Sequence, residues 1–332
     1  MRSRYLGAVV GVVLTAGVLA TALSASASNA RPLKPIARSS STHVFRPFGY
    51  AHQGKPARPV HSKNLYYHGG VSDGLAGTIG VETAPKVYLV LWGSQWTGND
   101  PSGESSILQN FLNNVGGSSW LHSVTQYCQG VASRTSFCNG AGTAAGNPAG
   151  ILTGVWSDNG SAAPSSPSQS QLASEAVNAA AHFGNTTVGS NASTQYVIAT
   201  ATGNNASGFG TQYCAYHSST SSLSGDIAYT NLPYITDAGI LCGANFVNSD
   251  SSGATDGITI VEGHELAETI TDQFPNGGWL DRQGAENGDK CAWISSGQGA
   301  AADVNFGSYT YPVQSLWSNA FNSDQGGCVL SY

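Results

Sequence analysis

Every acidic residue of this 332-residue chain lies beyond residue 63, whereas nine of its thirteen lysines and arginines lie before residue 64. That split limits what can fold. Residues 31–63 are rich in Pro, Ser, Arg and His and have no apolar periodicity, so they cannot build a core of their own. The body from about 64 to 332 carries four basic and nineteen acidic side chains, a stronger imbalance than the net charge of −6 conveys. A body of that sign repels phosphate backbones, which argues against a nucleic-acid partner. Its scarcity of Lys and Arg suits exposure to acid or to trypsin-like proteases.

The start of the chain reads as an export signal. Met1 to Tyr5 is short and basic, Leu6 to Leu23 is apolar, and Ala25-Ser26-Ala27 offers the small residues a signal peptidase requires. We expect a signal peptide over 1–27, with cleavage as late as 30, and a secreted, extracellular product with no membrane contact after cleavage. An uncleaved anchor is the alternative. Residues 28–63 are then a basic leader. It is either a removable prosegment docking on the acidic body by charge, or a linker or wall-binding tail. Its histidines His43, His52 and His61 can also cap a metal in the precursor.

Six cysteines fit an oxidising compartment. They allow fifteen pairings, and the sequential scheme, Cys128 with Cys138, Cys214 with Cys242 and Cys291 with Cys328, closes three local loops. No C-x-x-C pair exists, so a zinc-thiolate site is not expected.

The body is long enough for one disulfide-bonded domain with a substantial core. Lys86 to Trp92 is a continuous apolar run, as in a buried central strand. Helices are expected at about 104–115, 118–127 and 171–183, the last turning Leu172, Ala176, Val177 and Ala180 inward. Strands are expected at 195–200, 226–229, 240–246, 312–317 and 327–331. Long surface loops occupy 139–149, 158–170 and 202–210. The fold class is therefore α/β or α+β, a mixed central sheet with packed helices.

One of those helices carries His264-Glu265-Leu266-Ala267-Glu268. On a helix His264 and Glu268 stand one turn apart on the same face and reach one metal ion, with Glu265 beside them to polarise a water. This is the logic of the H-E-x-x-H zinc peptidase helix, with glutamate in place of the second histidine. The opposing reading is a solvated acidic face made of Glu262, Glu265 and Glu268. Ile258, Ile260, Val261, Leu266, Ala267 and Ile270 form an apolar stripe, so the helix is expected to pack. Charges on a packed helix need a purpose in a chain only 10% charged.

Several blocks together resemble the phosphate-induced protein 1, or EXORDIUM-like, family. They are Leu65-Tyr66-Tyr67-His68-Gly69-Gly70, Pro85 to Gly93, Trp120 to Tyr127, Tyr213-Cys214-Ala215-Tyr216-His217-Ser218, His264 to Glu268, and Ala285-Glu286-Asn287-Gly288-Asp289-Lys290-Cys291. They recur in order across nearly all of residues 65–328. Plant members are secreted proteins linked to cell expansion without an established chemistry. Members similar to this chain keep the pentad and look like zinc metallopeptidases.

A catalytic zinc takes three protein ligands and leaves a position open. His264 and Glu268 supply two. The family-like loop Glu286-x-x-Asp289 is the first choice for the third, with either acid eligible. Asp272, about 12 Å along the helix from His264, is too far unless the helix bends, and Asp281 lies outside the strongest block. Two carboxylates and one imidazole would leave zinc formally neutral, so a second imidazole would help. His217 is the leading candidate, as ligand or as oxyanion donor, against a loop histidine. His68 reads as part of a turn and His182 as a helix-terminal cation. An oxygen-rich site can alternatively take calcium or manganese.

An α/β-hydrolase elbow is absent, and carboxylates one helical turn apart do not straddle a sugar ring. Trp92, Trp96, Trp279 and Trp293 are core or cleft residues or a carbohydrate platform. The expected activity is a zinc-dependent peptidase acting on a peptide or protein, with Glu265 as base and acid. The alternative is a noncatalytic EXORDIUM-like extracellular protein with a structural or vestigial ion.

Overall fold

Lys86–Trp92 sits inside a six-stranded mixed sheet, as its apolar run requires. The computed structural model describes residues 41–49, 64–73 and 77–332. The expected signal peptide, the rest of the leader, and His52 and His61 lie outside these residues. In chain order the sheet strands are β1 (Thr42–Phe45), β2 (Lys86–Trp92), β3 (Leu152–Asp158), β4 (Thr194–Thr200), β5 (Ala215–Ser222) and β6 (Gly225–Leu232). Their spatial order is β1-β5-β6-β4-β2-β3. The pairs β6/β4, β4/β2 and β2/β3 are parallel, and β1/β5 and β5/β6 are antiparallel.

Alternation along the strands divides the core into two layers. Val87, Leu89, Leu91 and Val197 face one layer, where they meet α1 (Glu104–Val115) and α3 (Asp256–Thr271). Tyr88, Val90, Tyr196 and Ile198 face the other, where α2 (Gln169–His182) contributes Leu172, Ala176, Val177 and Ala180 as expected. Ser168 starts α2 with a capping box closed by Gln171. The result is a mixed α/β fold with helices on both faces of the sheet.

Three disulfides join Cys128 to Cys138, Cys214 to Cys242 and Cys291 to Cys328, the sequential scheme. No helix among the described residues is long and apolar enough to cross a membrane.

Six local expectations change, two of them in extent: the 118–127 helix is an α-turn at Ser119–His122 followed by a 3-10 turn over Ser123–Gln126, and the 312–317 strand is broken at Gln314 and Ser315 between Tyr309–Val313 and Leu316–Ser318. Residues 240–246 form no strand: a 3-10 segment over Ile235–Cys242 kinks at Gly239, and left-handed Gly243 follows it. Ile240 and Leu241 are left exposed there. β3 is an edge strand with Gly154 and polar residues among its apolar ones, which hides it from an apolar-run criterion. β5 is a Ser- and Thr-rich strand that reads as a loop in sequence. The leader, coreless by itself, supplies β1 as a sheet edge.

Candidate metal centre

The motif helix α3 is buried along its entire length, so it lies within the core rather than on the surface. Glu262, Glu265 and Glu268 are at most 1% exposed, which removes the solvated acidic face. His264 and Glu268 meet as their one-turn spacing dictates, with Nε2 of His264 3.0 Å from Oε1 of Glu268.

The His264 ring is oriented from behind. Gln314 donates its amide protons to the carbonyls of Gly288 and Ser315, which turns its Oε1 toward His264 Nδ1 at 3.2 Å. The main-chain carbonyl of Gln314 also accepts from Trp120 Nε1 at 2.7 Å. Nδ1 therefore carries the ring proton and Nε2 presents its lone pair to the cluster, the arrangement typical of a metal-bound imidazole. Gln314 had no signal in the sequence, because its role depends only on where the 309–313 strand ends.

The loop after α3 closes over the same face. Asn287 donates to the Ala267 carbonyl and Thr271 Oγ1, and the Asp289 N–H donates to Glu268 Oε1 at 2.8 Å. Gly288 is needed for this approach: a Cβ there would stand 2.8 Å from His264 Nδ1 and 2.9 Å from Glu268 Oε1. The Cys291–Cys328 bridge and the Lys290–Asp281 pair at 3.0 Å anchor the loop's far end.

Of the two loop acids, Glu286 is fully buried and Asp289 is 27% exposed at its side chain. Glu286 Oε2 lies 2.9 Å from His217 Nε2. Asp289 Oδ1 lies 3.8 Å from His264 Nε2, and its Oδ2 accepts from the Glu286 N–H. His217 is not a loop histidine. It projects from β5 on the Ala215 side of the sheet, fully buried, with Nε2 3.7 Å from Glu268 Oε2.

The other acids considered are committed elsewhere. Asp272 caps the turn after α3, accepting from the N–H groups of Asn276, Gly277 and Gly278. Asp281 pairs with Lys290 and accepts from Gln283 and Ala285. His68 bonds the Tyr66 carbonyl, and His182 stacks on Trp156. Trp279 is core, whereas Trp293 lines the site.

Of the leader histidines that can cap a metal, His43 reaches the cluster. From β1 it brings Nδ1 to 2.8 Å from Glu286 Oε2, opposite His217 in register. Three overlapping sets of ligand atoms result: His43, His217 and Glu286; His217, Glu265 and Glu268; and His264, Glu268 and Asp289.

The electrostatics of the cluster favour positive charge: burial opposes it, but the charge and hydrogen bond of Glu286 raise His43 to about 10, which supplies one cation from β1. Burial holds His217 and His264 below the usual imidazole range, so both rings are neutral donors at neutral pH. Burial and the Glu286 charge push Glu268 well above the carboxylate range. Burial, then Glu268 and Glu286, do the same to Glu265. Burial would also raise Glu286, but His217 and His43 outweigh it and hold its carboxyl low. Nε2 of His264, Oε2 of Glu268, Oε1 of Glu286 and both oxygens of Glu265 are buried without a hydrogen-bond partner. Buried lone-pair atoms without a hydrogen-bond partner, spread over overlapping triads, are what an ion would satisfy. These residues can hold a metal ion.

Comparisons with protein-family models, curated proteins and solved structures give no match. The site must be interpreted from its own chemistry.

Proposed function

We propose that this protein is a secreted zinc-dependent peptidase whose ion is held by His264, Glu268, His217 and Glu286. The observation that carries this reading is a chain of three overlapping triads of ligand atoms, linked through His217 and Glu268, that gathers side chains from α3, β1, β5 and the 286–291 loop beside Glu265, whose carboxyl oxygens have no hydrogen-bond partner. Imidazole and carboxylate donors suit zinc, whereas calcium and manganese favour sets richer in oxygen. Glu286 is preferred to Asp289 because it is fully buried and keeps an unpartnered oxygen. Asp289 serves instead through its N–H, which fixes Glu268.

The cation would supply Lewis acidity to the scissile carbonyl and to water. Glu265 takes the proton from the attacking water and delivers it to the departing amine. Its burial raises its proton affinity toward what a base working near neutrality requires. His264 is kept in the donor tautomer by Gln314, and β5 sets His217 Nε2 2.9 Å from Glu286 Oε2, so that the two atoms would stand side by side as ligands. Residues around the cluster exclude bulk water, which strengthens each of these interactions.

Export belongs to the same proposal, supported by the N-terminal sequence and by three disulfides. So does membership of the EXORDIUM-like family, whose blocks in this chain include His217, the α3 pentad and the Glu286 loop. Elemental analysis of the dialysed protein and of His264→Ala tests the reading. One zinc per chain, lost in the variant, is the expected result. No bound metal in either, after incubation with zinc, would overturn it.

A further inference from the structure

Strand β1 comes from the leader, yet it occupies the side of the sheet that opens on the metal cluster. It pairs antiparallel with β5, His43 opposite His217 and Phe45 opposite Ala215. Without it, β5 would be the sheet edge. Alternate residues of a strand share a face, so His43 and Phe45 both turn toward α3 while Val44 packs in the opposite layer.

The two side chains that face the site meet its working parts. His43 reaches Glu286. The Phe45 ring lies flat between the His264 ring, at 3.8 Å between centroids and 14° between planes, and the Trp293 indole, at 4.8 Å and 10°. Bonds to its main chain hold the segment on both sides: the Cys214 N–H donates to the Phe45 carbonyl at 2.7 Å, the Trp293 side-chain Nε1–H to the Arg46 carbonyl at 2.7 Å, and the Phe48 N–H to the Leu241 carbonyl at 2.8 Å. Backbone pairing at a sheet edge, with a slot for one alternate side chain, is the recognition mode of proteins that bind extended peptides.

We infer that β1 occupies the substrate groove: the substrate is an extended peptide paired antiparallel with β5, with an aromatic side chain in the slot between His264 and Trp293, and the leader blocks the site until it is displaced. This rests on the peptidase reading. A strand kept only to finish the sheet has no need to place an imidazole on Glu286, or its one large ring over a ligand histidine. The segment Thr42–Phe45 contains no lysine or arginine, so strand pairing, ring stacking and the single His43–Glu286 contact hold it at the groove.

The test measures binding, independently of turnover. A labelled synthetic peptide of residues 41–49 is titrated onto the full-length, zinc-loaded Glu265→Gln protein, and onto the same protein carrying His43→Ala and Phe45→Ala. The peptide should bind the leader variant at least about tenfold more tightly, and an alanine at its phenylalanine equivalent to Phe45 should remove about tenfold of that affinity, the scale of a lost aromatic stack. Equal binding with and without the leader changes, or indifference to that phenylalanine, would overturn the inference. If the double variant fails to melt cooperatively, His43→Gln with Phe45→Leu keeps the packing volume and should show the same ordering. Peptide binding in the freed groove without cleavage of any peptide by the corresponding Glu265 protein would leave the groove standing and sink the peptidase reading.

Discussion

His217 Nε2 lies 2.9 Å from Glu286 Oε2, although the two residues are 69 positions apart in the chain. One comes from the antiparallel end of the sheet and the other from a loop strapped to α3, so the candidate metal centre is assembled only once sheet, helix and loop have packed together. Losing either partner should therefore reduce metal binding without changing secondary structure. His217→Ala is expected to lower zinc stoichiometry after dialysis, with the far-ultraviolet circular dichroism unchanged. Full retention of zinc would remove His217 from the ligand set.

Gln314 acts through His264 rather than on any ligand of its own. Outer partners of metal-bound histidines contribute about 10- to 100-fold in affinity. Gln314→Ala should weaken zinc binding by that order in a chelator competition, and Gln314→Glu, which loses both amide donors to the Gly288 and Ser315 carbonyls, should not restore it. Identical affinities in all three proteins would show that the ring needs no orientation from this side.

Gly288 leaves no room for a side chain beside His264 and Glu268. Gly288→Ala must push the loop away from α3 or shift the ligands, at a cost of about 1–3 kcal/mol, as for an overpacked core. Thermal denaturation and zinc titration should both register the change. A variant with wild-type melting temperature and affinity would mean that the loop yields freely.

Glu265→Gln keeps the shape of the side chain and removes the base. Peptide turnover should fall by about 10²- to 10⁴-fold, the usual weight of a general base, while zinc content stays at the wild-type level. Turnover within about twofold of wild type would exclude Glu265 from the chemistry.

Away from the metal centre, burial lifts the Glu104 carboxyl to about 8, even though it accepts from the Ile235 N–H. In the unfolded chain it titrates near 4.5. Between these values the folded protein keeps a proton that the unfolded chain has lost. The contribution is therefore complete below about pH 4.5, falls as pH rises, and levels off above about pH 8. Its slope is at most about 1.4 kcal/mol per pH unit. Glu82, buried against Gln195 and also lifted to about 8, acts in the same direction. Glu104→Gln should gain stability relative to wild type between pH 5 and pH 8, as followed by urea denaturation. A difference independent of pH would show that Glu104 is ionised in the fold.

Local sequence determined the parts whose signals are local. The apolar run Lys86–Trp92 can only be an interior strand, and the spacing of His264 and Glu268 delivers both to one point as soon as a helix forms. The three disulfide loops close between cysteines that are neighbours in the order of the chain. Tertiary structure decided the rest, because the deciding contacts join distant segments. His217 sits in a run of serines and threonines that reads as a loop until β1 and β6 flank it as β5. The burial that favours Glu286 over Asp289 in the proposed ligand set depends on how the 286–291 loop is tied to α3 and to Cys328. Gln314 became visible only through packing, and packing alone placed His43, one of three leader histidines, on Glu286. Residues 42–45 cannot form a core by themselves, but a sheet edge needs only backbone pairing from them, and backbone groups carry no sequence signature.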